Sequence, residues 1–376
     1  MSTLLFLVEF FIQMVSNIKN NPQARVSLSK NRYKLPPLDL LEVQKESYNE
    51  FKEKDITNLL AEISPIEDYS GKNWNLAFTD HNFDKPKMSA GEAIEKGLTY
   101  ESPLRVKTIL TNKKTGKHIT QTVFLGNIPQ MTDRGTFIIN GVERCVVNQI
   151  VRAPGVYFTG EIDPLSGRLL YKAEIRPLYG SWLDFLVAKN DVIYIRVDRR
   201  RKFPATVFLR ALGLSLDENI LSHFANVKKY ISVTLQKDPA KTREEAYLEL
   251  YKKIRPGEPL ILDNARERFN NMFRNLRVYN LGEVGRYKIN KRLGSTLQNN
   301  KENWIIHKED VVCILRKLID LMEGKGEVDN IDHLGNRRVR RVGELVGNTA
   351  FRLGLLRLER TIKERMSLTG AVADLT

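Results

Sequence analysis

The chain has 376 residues, 42% of them hydrophobic and 28% charged, with a formal net charge of +15 at pH 7. That length suits two or three domains, and that apolar fraction supports packed cores, which excludes a disordered or collagen-like chain. The charge points to a polyanionic partner, nucleic acid foremost, with an inert basic surface as the alternative.

The first apolar run, Leu4–Val15, is interrupted by Glu9 and has no basic segment before it. It is too short to span a bilayer and lacks a cleavage signature. It reads as a start-site extension, with Met14 as an alternative start, or as a short buried helix, and not as a membrane anchor. Residues 16–35 are polar and basic and end at Pro36-Pro37, as an arm or loop would. Leu38–Glu53 has helical periodicity, offering Leu40, Leu41, Val43, Tyr48 and Phe51 for a buried face. Pro65 and the stretch Asp68–Gly71 break it.

From Pro103 the pattern alternates. Leu104–Leu110, a turn at Asn112–Gly116 and Ile119–Leu125 predict a β-hairpin. Thr136–Ile139 and Arg144–Ile150 predict a second strand pair around Asn140-Gly141. Lys189–Arg196 reads as a turn and a strand, and Pro204–Leu212 as a helix. Thr242 with Glu245 predicts a capping box opening a helix over Glu244–Lys253, closed by Pro256-Gly257. Glu309–Glu323 places Val311, Val312, Leu315, Leu318, Ile319 and Met322 on one face, with Gly324 as the C-terminal stop. A long basic helix follows over about Gly343–Met366. The expected class is α+β: a strand-rich first domain, an inserted mixed α/β domain and a long returning helix, without Rossmann alternation.

Catalytic signatures are not recognisable. The sequence has no phosphate loop, no nucleophile elbow and no aspartate triplet for magnesium. Cys145 and Cys313 are far apart, and the five histidines are scattered, so neither a disulfide framework nor a zinc spacing is present. Free thiols fit a cytoplasmic protein. Glu327, Asp329 and Asp332 make a poor metal set, because hard cations want several converging oxygens. Asp198, followed by Arg199, Arg200, Arg201 and Lys202, reads as an ion-pair partner. That basic run and Asn336-Arg-Arg-Val-Arg-Arg341 stand out, since arginine forks match phosphate and guanine edges. Either run alone could equally be a solvated face. Trp182, in Gly180-Ser-Trp-Leu-Asp-Phe185, could stack on an unpaired base, though a tryptophan in such a run is more often core.

The stretches Met131–Gln149, Arg152–Phe158, Tyr179–Phe185, Val197–Thr206, Arg255–Pro259 and Gly324–Arg340 resemble the bacterial DNA-directed RNA polymerase β subunit, in that family's order and over most of residues 36–368. The resemblance implies a layout. Residues 1–26 would be an extension or arm, 27–143 the first pass of the protrusion domain, 144–340 the inserted lobe, and 341–376 the second pass. It implies that Arg152, Trp182, Asp332 and Arg337 contact single-stranded non-template DNA, with Trp182 stacking on a base and Asp332 and Arg337 accepting a guanine. Arg340 would be a further DNA contact. Arg199, Arg200, Arg201 and Lys202 would lie near downstream DNA or in an ion-pair network.

The same resemblance puts Arg144, Val147 and Gln149 at the N-terminal edge of the rifamycin pocket, beside nascent RNA. It implies one jaw of a DNA cleft, with β′, α and sigma subunits as partners. The alternative is a module that mainly docks β′ or sigma. No cofactor is expected in this chain, because the catalytic Mg2+ of the family is held by β′. The place would be the cytoplasm, with the nucleoid. Two departures stand against the family pattern. Little chain lies between Gly213 and Lys237, and the sequence stops at Thr376, as a partial or split subunit would.

Overall fold

The computed structural model describes residues 38–368. The expected N-terminal extension at 1–26, the arm up to Pro37 and the last residues of the second pass lie outside them. Helix α1 (Glu42–Glu50) runs through a π-helical turn, Phe51–Asp55, into α2 (Ile56–Ile63). The extra residue of the π turn advances the helical phase, so Tyr48 before it, Phe51 at its start and Leu59, Leu60 and Ile63 after it all reach the core. Leu40, Leu41 and Val43, expected on that face, are exposed. The helix starts only at Glu42, so Leu40 and Leu41 precede its first turn.

Strands β1 (Ile66–Glu67), β2 (Trp74–Phe83), β3 (Glu101–Asn112) and β4 (His118–Pro129) form an antiparallel sheet in sequence order, with the short helix α3 (Ala90–Glu95) between β2 and β3. The predicted hairpin is β3–β4, longer at both ends than its periodicity suggested. Strands β5 (Phe137–Ile139) and β6 (Val142–Arg144) close on Asn140 and Gly141, both at positive φ (51° and 75°), as a type I′ turn demands. The second partner of this hairpin therefore ends at Arg144 rather than at Ile150. The chain beyond it forms β7 (Gln149–Arg152), which pairs elsewhere.

A five-stranded antiparallel sheet follows: β8 (Gly155–Ile162), β9 (Leu169–Arg176), β10 (Leu183–Val187), β11 (Ile193–Val197) and β12 (Phe203–Pro204). One face of it is apolar, with Phe158, Ile175, Phe185 and Ile195 fully buried. That face is covered by helices drawn from α4 (Ala205–Leu212), α5 (Asp217–Ser222), α6 (Lys228–Gln236), α7 (Arg243–Ile254), α8 (Leu262–Phe273), α9 (Gly282–Leu293) and α10 (Lys308–Met322). Phe208 stacks edge-on against Phe273 at 5.2 Å in the middle of this core. Thr242 caps α7 by accepting the Glu245 N–H at 3.2 Å. The reciprocal half of the expected box is missing, because the Glu245 carboxylate takes the Lys241 N–H instead.

Strand β13 (Arg337–Arg340) then leads into a helical segment that contains a second π turn, Leu345–Phe351, and continues as α11 (Arg352–Leu368). The fold is thus α+β with two hydrophobic clusters. One is built from residues between Val156 and Leu321. The other joins Tyr48–Phe137 with Val342, Leu355 and Met366, so the last described helix completes a core begun by the first ones.

The return is held tightly. Arg341 pairs with Glu50 at 2.8 Å, and the Gly343 N–H donates to Ser47 Oγ at 3.0 Å. A Cβ at position 343 would overlap the Ser47 carbonyl oxygen, which is backbone and cannot step aside. Gly343→Ala is therefore expected to cost at least about 2–3 kcal/mol through overpacking. A urea melt reading the far-UV signal measures it, and an unchanged midpoint would mean that α1 and the returning helix do not approach this closely.

Candidate nucleic-acid interface

The arginines of the 336–341 run owe their position to a pairing that spans the whole inserted core. Strand β13 pairs antiparallel with β7, setting Arg337 opposite Arg152 and Arg340 opposite Gln149. Side chains alternate across such a ribbon, so Arg337 and Arg152 share one face while Arg338 and Arg340 share the other. Arg337 is exposed on the first face, while Arg338 and Arg340 are half-buried on the other. The ribbon borders a cleft of about 490 Å³ whose walls include Arg152, Arg176, Trp182, Arg199, Arg337, Arg338 and Arg340.

The structure thereby brings together Arg152, Trp182, Arg199, Arg337 and Arg340 from four separate sequence regions. Asp332 joins them through an ion pair with Arg337, and its carboxylate is otherwise open to solvent. Arg337 Nε also approaches the Ile331 carbonyl at 3.5 Å. Trp182 is 40% exposed and is no core residue. The reason is local. Its backbone N–H donates to Asp198 Oδ1 at 2.8 Å, and its carbonyl accepts the Asp198 N–H at 3.0 Å. This holds Trp182 just before the start of the central strand β10, exposed where Leu183 and Phe185 are buried. Asp198 thus serves the tryptophan's backbone rather than a neighbouring arginine.

The ring of Trp182 has the Arg176 guanidinium 3.8 Å from its centroid and that of Arg199 at 5.4 Å. Both distances are within cation–π range. Asp198 and Arg199 sit at positive φ (46° and 59°), so the basic run turns sharply and its side chains diverge. Arg199 enters the cleft. Arg200 donates to the Ile254 carbonyl and so caps the end of α7. Arg201 is exposed. Lys202 lies 4.7 Å over the Tyr194 ring in a separate groove.

Arg144, Val147 and Gln149 are all exposed along the segment from β6 to β7, and Arg144, Val147 and Gln149 are not among the cleft's lining residues. Glu327, Asp329 and Asp332 do not converge. Asp329 is taken by Arg292 at 3.0 Å and by the Phe158 N–H at 2.8 Å. Among the described residues, no cluster of three or more His, Cys, Asp or Glu could hold a metal ion. No described helix is long and apolar enough to cross a membrane.

Three residues around this site escaped sequence reasoning, Arg176, Glu174 and Glu344, and the partner of Arg338 was not foreseen. Arg338 makes a two-pronged pair with Glu344, 2.6 Å on each prong, which ties β13 to the returning helical segment. Burial pushes the Glu344 carboxyl up, but the Arg338 hydrogen bond and the charges of Arg338 and Arg340 outweigh it and hold it below the usual range. The strand Ala173-Glu-Ile-Arg176 alternates apolar and charged residues, and that period of two could have flagged Glu174 and Arg176 as facing away from the core.

A two-core α+β chain whose inserted core carries an arginine cleft has counterparts. Residues 152–340 match the family model described as RNA polymerase Rpb2, domain 2. The matched span opens at the last residue of β7 and closes at the last residue of β13, the two strands that form the ribbon. Over an alignment of 361 residues the chain is 43% identical to the DNA-directed RNA polymerase subunit beta of Chloroflexus aggregans, covering 88% of this chain and 29% of that relative. The chain belongs to the RNA polymerase β-subunit family. It spans under a third of the length of the relative it matches.

Proposed function

We propose that the chain works as a DNA-contacting part of a DNA-directed RNA polymerase β subunit, forming one jaw of the DNA cleft and holding the opened strand during transcription. The observation that carries this reading is the cleft itself, where an exposed tryptophan stands among arginines from β7, β9, the turn after β11 and β13. Stacking on an aromatic face is indifferent to base identity, and arginines supply the phosphate and base-edge contacts. The Asp332–Arg337 pair offers guanine both an acceptor for its N1–H and amino group and a donor for O6 and N7. Arg340, Arg199, Arg201 and Lys202 add positive charge towards the downstream side, while Arg200 is occupied at the end of α7.

In the same proposal, residues 27–143 and 341–376 are the two passes of the protrusion, and 144–340 are the lobe. The two hydrophobic clusters support this division. In the same reading the exposed Arg144, Val147 and Gln149 form the N-terminal edge of the rifamycin pocket, beside nascent RNA. The same proposal keeps catalysis outside this chain, with Mg2+ held by β′, as the family resemblance implies. The setting is the cytoplasm, at the nucleoid, with β′, α and sigma as partners.

The docking alternative has its own observation. Phe124 and Val123 of β4 lie exposed in an apolar groove of about 620 Å³ between that sheet and α11. Salt separates the two readings. If the cleft arginines neutralise about three or four phosphates, log affinity for a forked oligodeoxynucleotide falls with log salt at a slope of about −2 to −3. A flat salt profile, together with capture of polymerase subunits that survives nuclease, would overturn the DNA reading in favour of docking.

A further inference from the structure

The outer face of the five-stranded sheet carries a row of polar side chains across four strands. Tyr157, Glu174, Asp184 and Arg196 sit directly opposite one another in register. Two carboxylates side by side on a sheet repel, and both are almost wholly buried, Glu174 at 4% and Asp184 at 2%. Buried charge persists only when it is paired. Asp184 is paired with Arg196 at 3.1 Å. Glu174 is the hub of the rest. Its carboxylate binds Arg152, Lys172 and Arg176 together, with Arg176 gripped through Nε at 3.1 Å and Nη2 at 2.6 Å. Burial pushes this carboxyl up, but the hydrogen bonds from Lys172 and Arg176 and their charges outweigh it and hold it at about 2.

Two of the three cations are components of the cleft. Arg152 stands opposite Arg337 in the ribbon. Arg176 lies under Trp182 at 3.8 Å, and its remaining nitrogen, Nη1, is buried without a hydrogen-bond acceptor. Its other two nitrogens are both held by Glu174, which fixes the plane of the guanidinium against the indole. What its position achieves is a rigid platform for the indole.

We propose that Glu174 is a positioning residue of the nucleic-acid cleft, fixing Arg152 directly and the stacking face of Trp182 through Arg176. The inference rests on the cleft reading above and goes beyond it by assigning the acid that organises the site. It has a sign of its own. Glu174→Gln adds one positive charge to the neighbourhood of a polyanion, so electrostatics alone would tighten DNA binding. Loss of positioning weakens it.

The test uses the full chain and forked oligodeoxynucleotides, either intact or with an abasic site placed at each unpaired position in turn, read by fluorescence anisotropy. With Glu174 in place, removing the stacked base is expected to weaken binding about tenfold, the scale of one aromatic–base stack. Glu174→Gln is expected to bind the intact fork several-fold more weakly and to lose most of that abasic penalty. Arg176→Met keeps the aliphatic packing but cuts the link to the indole. It should likewise lose the abasic penalty, and it decides the matter alone if Glu174→Gln does not fold. Binding as tight as or tighter than the parent's, with the full abasic penalty in the variants that fold, overturns the proposal while leaving the cleft standing. A Trp182→Ala variant that binds intact and abasic forks like the parent would instead sink the cleft reading, and this inference with it.

Discussion

Arg286→Met is expected to destabilise the inserted core by about 3–5 kcal/mol, the usual cost of removing one partner from a buried ion pair. Arg286 on α9 is wholly buried and meets Asp310 on α10, itself 1% exposed. The contact is two-pronged, at 2.8 and 3.0 Å. Its Nε donates to the Asn303 carbonyl at 2.7 Å and its Nη2 to the Ile305 carbonyl. One side chain thus joins α9, the 301–306 turn and the start of α10. Methionine fills much of the volume but leaves Asp310 as an uncompensated buried charge and strips two backbone carbonyls of a donor. Asp310 also accepts the His307 N–H at 3.0 Å, so the cap of α10 loosens with it. Urea denaturation measures the shift, and the double variant Arg286→Met/Asp310→Leu should recover part of the loss because no orphaned charge remains. A single-variant loss below about 1 kcal/mol would mean that this pair is solvated and not structural.

What the sequence disclosed follows from how local each signal is. The β3–β4 hairpin and the Asn140-Gly141 turn were legible because a few adjacent residues specify them. The face of α10 was legible from its spacing, and Gly324, at φ 76°, ends that helix where expected. The β7–β13 ribbon was not legible. Its strands are short, arginine-rich and separated by the entire inserted core, and Arg337-Arg-Val-Arg340 has no apolar alternation to mark a strand. The exposure of Trp182 was hidden for a related reason. Its neighbours Leu183 and Phe185 are core, and only the backbone bonds to Asp198 and the guanidinium of Arg176 hold the indole outside. The basic run 199–202 was visible as charge, but the positive φ values at Asp198 and Arg199 that scatter its side chains are a conformational fact no composition conveys. Of the residues that the resemblance named, the structure gathers Arg152, Trp182, Arg199, Arg337 and Arg340 around one cleft, while Arg200, Lys202, Arg144, Val147 and Gln149 do not line it. The resemblance did not name Glu174, whose role depends on three partners in space.

Trp182→Ala and Arg337→Ala are expected to weaken binding to forked DNA by different routes, and the difference is the informative part. On the proposed reading the indole stacks on a base, so its loss should remove about 1–3 kcal/mol of stacking and leave the salt slope nearly unchanged. Arg337 is a charge as well as a donor fork. Its loss should cost about 1–3 kcal/mol, lower the salt slope by about one and erase any preference for guanine at the position it reads. Asp332→Ala separates the two parts of that role. The Arg337 guanidinium loses its ion-pair partner and the cleft gains net positive charge, so affinity for a fork without guanine should hold or rise while the guanine preference falls. If Trp182 and Arg337 contact different nucleotides, the double variant loses close to the sum of the two single losses. Anisotropy titrations at several salt concentrations, with guanine moved through the unpaired positions, measure all four quantities. Equal losses and equal slopes for both single variants would show that neither residue touches the strand, and that each acts only by disturbing the cleft's shape.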